Sequence, residues 1–335
     1  MEPETPRLAN PAHSQAMSIL PDASAATAIY LILCDTAEQT LAPELFNPVF
    51  ADAGLDAVLL PVPVAPQHLD ACIRTAWVEE NIKGLWVSPA HQAAALAVLD
   101  HCSSLARMAR MAGAANAIRR NADGRLEGAL FDGVGFVASL IYFGISYADQ
   151  RVLILGAGGA AAAIAASLAR PADAVCAAEI ALYDPDAAGA AALAGRIRVA
   201  TGTPVHAVSS HDPAGFDLVV HAVPLGPQAG AALPCDVARM EAHACVIDTA
   251  VQNQPSALLR AARARGLQAQ PGFEMLVQQA HLYLDFFGYP QAAGMVRRDA
   301  SPLRQKLYPQ ALQHEIHPQL PSESQFAPFP FSSLS

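Results

Sequence analysis

Short apolar runs alternate with stretches of helical spacing along most of the chain. Ala28–Cys34, Ala57–Val62 and Gly84–Val87 have the length and apolarity of buried strands. Pro43–Ala53, His68–Glu79 and His91–His101 return apolar residues at three- and four-residue intervals, as helices do. A second series follows the helix-like Val134–Tyr142. It predicts strands at Arg151–Leu155, Ile180–Tyr183, Leu218–His221 and Val246–Asp248, with helices at Gly159–Leu168 and Ala187–Ala200. Strands alternating with helices imply a largely parallel sheet covered by helices, so the pattern predicts two α/β units joined near residues 119–135. The polar, proline-bearing ends, residues 1–25 and 317–335, carry no such period and are expected to be disordered. No internal repeat is present.

Composition narrows the function classes. Of 335 residues, 53% are hydrophobic and 15% charged, which is enough apolar material for two cores. A net charge of −10 argues against nucleic acid or an anionic membrane as partner, because either calls for clustered Lys and Arg. A small molecule bound in a cleft is the expected partner. The uncharged run 152–169 is interrupted by Gly156, Gly158 and Gly159, which is unlike a membrane span. The six cysteines (Cys34, Cys72, Cys102, Cys176, Cys235 and Cys245) form no close pairs. That spacing fits neither a zinc site nor a disulfide framework, and the cytoplasm is the expected location. No metal is expected.

The segment Val152-Leu-Ile-Leu-Gly156-Ala-Gly158-Gly159-Ala160-Ala161 reads as a strand entering a glycine turn and then a helix. Gly156 allows the tight turn, and Gly158 lets the backbone approach a pyrophosphate. Gly159, Ala160 and Ala161 open a helix whose first N–H groups and positive dipole end suit an anion. Asp184 closes the next strand. A carboxylate there accepts hydrogen bonds from adenosine ribose hydroxyls and repels a 2′-phosphate. No Lys or Arg occurs from Pro171 to Gly195, so NAD is favoured over NADP. The competing reading of Asp184 is a solvated turn residue.

Five motifs in order then resemble the shikimate/quinate dehydrogenase family. They are Gly113-Ala-Ala-Asn116-Ala-Ile118, Gly128-Ala-Leu-Phe-Asp132-Gly133, the glycine turn, His221-Ala-Val-Pro224-Leu-Gly226, and Pro271-Gly272-Phe-Glu-Met275-Leu-Val-Gln278-Gln279. The resemblance implies a bilobed fold: a substrate-binding domain over 26–121, a Rossmann NAD(P)-binding domain over 122–270, and C-terminal helices over 271–316 returning to the first. It places Asp132 in the catalytic pair and Thr40, Ser88, Asn116 and Gln279 against substrate. Val223, Gly272 and Met275 join the glycine turn around the cofactor. A homodimer is left open.

The chain also departs from that pattern. The family's asparagine-x-threonine-x-proline-x-lysine run aligns with Trp86-Val87-Ser88-Pro89-Ala90-His91-Gln92, so the catalytic lysine position is Gln92. An amide can hydrogen-bond a hydroxyl but cannot take its proton, and such assistance is worth about 10²–10⁴ in rate. Two carboxylate-gripping serines become Thr40 and Ala42. Trp86, Leu130 and Val251 stand where two amides and a tyrosine are expected. Asp132 is thus the leading general base, with His91 a weaker proton carrier. Bland readings are an N-cap for Asp132, a loop-satisfying role for Asn116 and a solvated helix face for Gln279. The expected function is an NAD(P)-dependent alcohol dehydrogenase or ketone reductase acting on a small cyclic polyol or hydroxy acid, and inefficient on shikimate. The alternatives are a non-catalytic NAD-binding regulator or sensor, and a shikimate 3-dehydrogenase with an altered proton relay.

Overall fold

Apolar runs long enough to cross a sheet become its central strands. The computed structural model describes residues 24–36, 40–99, 106–169, 175–223, 233–251 and 253–316. Its first part contains β1 (Ala28–Cys34), α1 (Ala42–Asp52), β2 (Ala57–Pro63), α2 (Leu69–Thr75), β3 (Ile82–Val87), α3 (Gln92–Val98), α4 (Ala106–Ala112), β4 (Ala117–Arg120) and β5 (Leu126–Ala129). They make a five-stranded sheet in the order β2-β1-β3-β4-β5. The first three strands run parallel, and β4 and β5 are antiparallel additions. A tight turn makes the β4–β5 hairpin. Asn121 Oδ1 accepts the Asp123 and Arg125 amides, and Gly124 takes a φ of +79°.

The second part contains α5 (Asp132–Tyr142), β6 (Arg151–Leu155), α6 (Gly159–Leu168), β7 (Glu179–Tyr183), α7 (Ala187–Thr201), β8 (Val205–Ala207), β9 (Leu218–His221), β10 (Cys245–Asp248), α8 (Ala257–Ala264) and β11 (Gln268–Pro271). This sheet is parallel throughout, in the order β11-β10-β9-β6-β7-β8. Strand order reverses beside β6, so a crevice opens at its carboxyl end, where open α/β sheets bind ligands. Alanine dominates α6 because the helix is buried nearly all round. Its neighbour α5 approaches so closely that a Cβ at Gly133 would lie 2.0 Å from Ala163 O.

The chain returns through α9 (Phe273–Phe286), α10 (Pro290–Arg298) and α11 (Ser301–Leu307). Val277, Ala280, Tyr283 and Leu284 of α9 join Tyr30, Phe46 and Trp86 in the core of the first sheet. The buried Glu274–Arg304 pair, at 2.6 Å, ties α11 to α9. The two parts are also bridged by Arg196 of α7. Its Nε and Nη2 donate to Met111 O (2.9 Å) and Ala112 O (2.7 Å) at the end of α4. Charged hydrogen bonds of this kind contribute about 1.5–3 kcal/mol each, less where water screens them. Arg196→Ala is therefore expected to cost about 2 kcal/mol in urea unfolding. An unchanged midpoint would show that the bridge carries no stability.

Several elements differ from the sequence expectation. The helix expected over His68–Glu79 is α2 with a 3₁₀ turn on each side, at Pro66–His68 and Ala76–Val78. The helix expected over His91–His101 begins one residue later and is helical through Val98. Residues 100–105 lie outside the described ones, as do the two termini apart from Ser24 and Ala25. β5 belongs to the first sheet, past the division expected at 121/122. The strands of the β4–β5 hairpin span four residues each and carry arginine and glutamate, so no apolar run marks them. Among the described residues no helix is long and apolar enough to cross a membrane.

Candidate active site

The carboxyl end of β6 turns at Gly156, whose φ of +122° disfavours any side chain. A Cβ there would also meet Ala222 O at 2.9 Å and a Val223 methyl at 3.0 Å. At Gly158 a Cβ would meet nothing within 4 Å, so the backbone is open to an approaching group. No side chain caps α6, which leaves the first amides of the Gly159-Ala160-Ala161 turn available to a ligand. This cradle fits a dinucleotide's diphosphate. Val223 sits 40% exposed at its lip. Gly272 packs onto the Thr249 backbone, where a Cβ would fall 2.6 Å from Thr249 Cα. The Met275 side chain points into the core, while its carbonyl lies against Gly135. Asp184 bonds backbone on both oxygens: Oδ2 accepts the Ala157 amide (2.8 Å) and Oδ1 the Asp186 amide (2.9 Å). Both roles expected of it, turn residue and ribose acceptor, are compatible, because each oxygen keeps a second lone pair. Of the His221–Gly226 motif, Pro224 onward lies outside the described residues.

Facing this cradle is a buried polar cluster drawn from four elements. Asp132 opens α5, Gln92 opens α3, Asn116 precedes β4, and Gln279 sits mid-way along α9. Gln92 Nε2 donates to Asp132 Oδ2 at 3.0 Å, across 40 residues of sequence. Burial pushes the Asp132 carboxyl above the usual carboxylate range, and the amides of Gln92, Asn116 and Gln279 pull the other way. Nδ2 of Asn116 makes no well-formed hydrogen bond. Its Oδ1 accepts the Phe131 amide at 3.1 Å, so the residue also satisfies a loop. The cap of α5 is Phe131, with no side-chain bond, which removes the N-cap reading of Asp132. Gln279 is buried, not solvated.

Among the described residues, buried polar atoms without a partner concentrate here: Ser88 Oγ, His91 Nε2, Gln92 Oε1, Gln279 Oε1 and the Trp86 indole nitrogen. A buried polar group left unmatched costs about 1–3 kcal/mol, so native proteins leave few unless a ligand or water completes them. Thr40 is half-buried and makes no hydrogen bond among the described residues. Gln92 also touches the cofactor cradle, since a Cβ on Gly159 would lie 2.4 Å from its Oε1.

Aromatic bulk closes the floor. Trp86 stacks on Tyr283 (ring centroids 5.1 Å apart, 11° between planes), and Phe131 meets Tyr283 edge-on at 5.0 Å. Val251 packs on the same core, whereas Leu130 is buried in the core around α5 and α6. Tyr283 was not legible as a site residue. It lies one helical turn beyond Gln279, and its hydroxyl reaches Asn116 O at 3.4 Å. Burial, with the charge of Asp132 added, pushes its phenol well above the usual range. A second unforeseen pair joins β9 to β10. His221 Nδ1 lies 3.0 Å from Asp248 Oδ1, both buried, at register-paired strand ends. The only sequence signal for it is a polar residue ending each of two apolar strands.

Comparison with known proteins gives a consistent picture. Residues 32–118 match the shikimate dehydrogenase substrate binding domain. A shikimate dehydrogenase (NADP(+)) of Acidiphilium cryptum is 36% identical over 241 residues, covering 71% of this chain and 82% of the relative. The enzyme of the same name from Rubrobacter xylanophilus is 33% identical over 247 residues, covering 72% and 84%. Among solved structures, the ligand-free 5-ketofructose reductase of Gluconobacter sp. strain CHM43 superposes with a TM-score of 0.68 at 27% identity, covering 81% of this chain and 98% of that one.

Proposed function

The chain belongs to the shikimate dehydrogenase family, and from that premise we propose that it moves hydride between a nicotinamide dinucleotide, NAD in preference to NADP, and a secondary alcohol or ketone on a small polyhydroxylated substrate, with little activity on shikimate itself. The observation that carries the reading is the set of unpartnered buried atoms around Asp132. Ser88 Oγ, which can donate or accept, and the acceptors Gln92 Oε1 and Gln279 Oε1 suit a substrate bearing several hydroxyls.

Gly156, Gly158 and the first turn of α6 would hold the dinucleotide's diphosphate, with Val223 and Gly272 beside its reactive end. When bound, the nicotinamide accepts or returns the hydride. The chain's own work is proton handling. Asp132 takes the proton of the reacting hydroxyl, and a carboxyl pKa raised above the usual carboxylate range by burial suits that task. Gln92 Nε2 orients the carboxylate. Asn116 and Gln279 hold neighbouring hydroxyls. Weak action on shikimate follows from Ala42, which lacks the second carboxylate-binding hydroxyl, and from the Trp86–Tyr283 floor. The relative named for 5-ketofructose, a sugar without a carboxylate, supports a substrate of this kind.

The preference for NAD rests on Asp184 and the absence of Lys or Arg from Pro171 to Gly195, although the named relatives carry NADP(+). NAD is expected to bind at least about tenfold tighter than NADP in calorimetry, in line with one lost charged contact and one like-charge approach. Tighter NADP binding would reverse the assignment. A second reading, a cofactor-binding regulator without turnover, is favoured by Gln92 in place of the lysine. It predicts saturable NAD binding with no NADH formed from shikimate, quinate or polyols.

A further inference from the structure

The bridge that Arg196 makes between the two parts of the molecule runs on into the cluster around Asp132. Met111 O and Ala112 O are among the last carbonyls of α4, which a helix leaves without intrahelical partners. Arg196 Nε and Nη2 satisfy them at 2.9 and 2.7 Å, a cation closing the negative end of a helix. Gly113 follows with a φ of +75°, and a Cβ there would fall 2.7 Å from Nη2, so the turn is shaped around the guanidinium. Met111, Ala112, Ala114 and Ala115 are buried and offer no side chain that could replace these bonds.

Beyond the turn the same segment meets Gln92 and Asp132. The Ala115 amide donates to Gln92 O at 3.0 Å, and the next residue, Asn116, brings its side-chain amide to Asp132. Gln92 and Asn116 belong to the part built on the first sheet, whereas Asp132 opens α5 of the second. The 3.0 Å bond from Gln92 Nε2 to Asp132 Oδ2 therefore crosses between the parts that Arg196 ties together. Asn116 is also fixed by backbone bonds to Ala129 O and from Val87 N, both 2.9 Å. Gln92 is less constrained. It is the first residue of α3, and His91 at the cap makes no side-chain bond. A small slip of α3 would leave its amide on Val87 O, now 3.4 Å away, and withdraw it from Asp132.

We propose that Arg196 is a positioning residue for the Asp132–Gln92 pair, its grip on the Gly113 turn holding α3 where the Gln92 amide meets the carboxylate. This rests on Asp132 being the proton acceptor, but the test does not need turnover. Facing Asp132 are the neutral amides of Gln92 from α3, Asn116 ahead of β4 and Gln279 from α9, with the titratable Tyr283 also from α9; α6 carries no titratable side chain. The Asp132 carboxyl can be titrated by NMR in protein labelled with carbon-13 at its aspartate side chains, its signal identified by its loss in Asp132→Asn. The Gln92 amide holds that ionisation down against burial. Arg196→Gln should therefore raise the midpoint by at least about half a pH unit, a fraction of one charged hydrogen bond. Arg196→Lys, which keeps the charge and can reach one carbonyl, should fall between. Arg263→Gln cuts a different arginine from Ala269 O and Glu315, and should leave the midpoint unmoved. Melting curves establish that each variant is folded. An unmoved midpoint in Arg196→Gln, or an equal rise in Arg263→Gln, would overturn the proposal. On a substrate that is turned over, Arg196→Gln should also lose about ten- to a hundredfold in kcat, the scale of a small misplacement of a reacting group. Absence of any turnover in wild type would count against the proposed function, and the titration would still decide the role of Arg196.

Discussion

Asp132→Asn is expected to lower hydride transfer by about 10²–10⁴ and, at neutral pH, to raise thermal stability. The first effect follows from removing the titratable proton acceptor that Gln92 cannot replace. The second follows from the same burial that tunes the group. The folded-state pKa of Asp132 stands above its unfolded value, chiefly through desolvation. Between the two values the unfolded chain has released a proton that the folded one retains. Stability associated with this residue is therefore full below the unfolded pKa and is lost as pH rises through the folded one. A neutral isostere removes that loss. Wild-type activity should accordingly rise with pH through an ionisation above the ordinary carboxylate range, and that limb should be missing from the variant. Melting temperatures taken at acid and neutral pH, beside initial rates at the same values, check both halves. A variant as active as wild type would remove Asp132 from the chemistry.

Gln92→Lys is the second large effect, and it runs the other way. The substituted side chain would start from the amide position that now lies 3.0 Å from Asp132 Oδ2. An ammonium there would pair with the carboxylate and give the site a second group able to exchange a proton. Shikimate turnover is expected to rise by up to about 10²–10⁴, the worth of general acid–base assistance. The gain stays below that ceiling to the extent that Ala42 and the Trp86–Tyr283 floor still limit shikimate binding. A raised kcat with an unchanged KM would place the deficit in proton transfer. No gain at all, in a variant that still binds NAD, would place it in substrate binding.

The cofactor end was legible because its signals are local. Gly156, Gly158 and Asp184 each act through their own backbone conformation or charge, and strand–turn–helix spacing brings them together. The pairing of Gln92 with Asp132 joins the first residues of two helices 40 positions apart, and only the resemblance located it; the structure supplies the 3.0 Å bond. Tyr283 escaped notice because an aromatic on an apolar helix face reads as core, which it also is. The contact of His221 with Asp248 depends on the register of two parallel strands, which periodicity does not contain. The β4–β5 hairpin was missed because its alternation covers too few residues to stand above a loop. Trp86, read as lost polarity, retains an unpartnered indole donor.

In the proposed reaction the dinucleotide site serves an oxidoreductase whose proton passes through Asp132 rather than a lysine. The most direct test is NADH formation from shikimate, quinate and ring or open-chain polyols, measured for wild type and Asp132→Asn in parallel at saturating NAD. At least one polyol is expected to turn over faster than shikimate, with near-complete loss of that turnover in the variant. NAD binding with no NADH from any substrate, or equal rates in the two proteins, would contradict it.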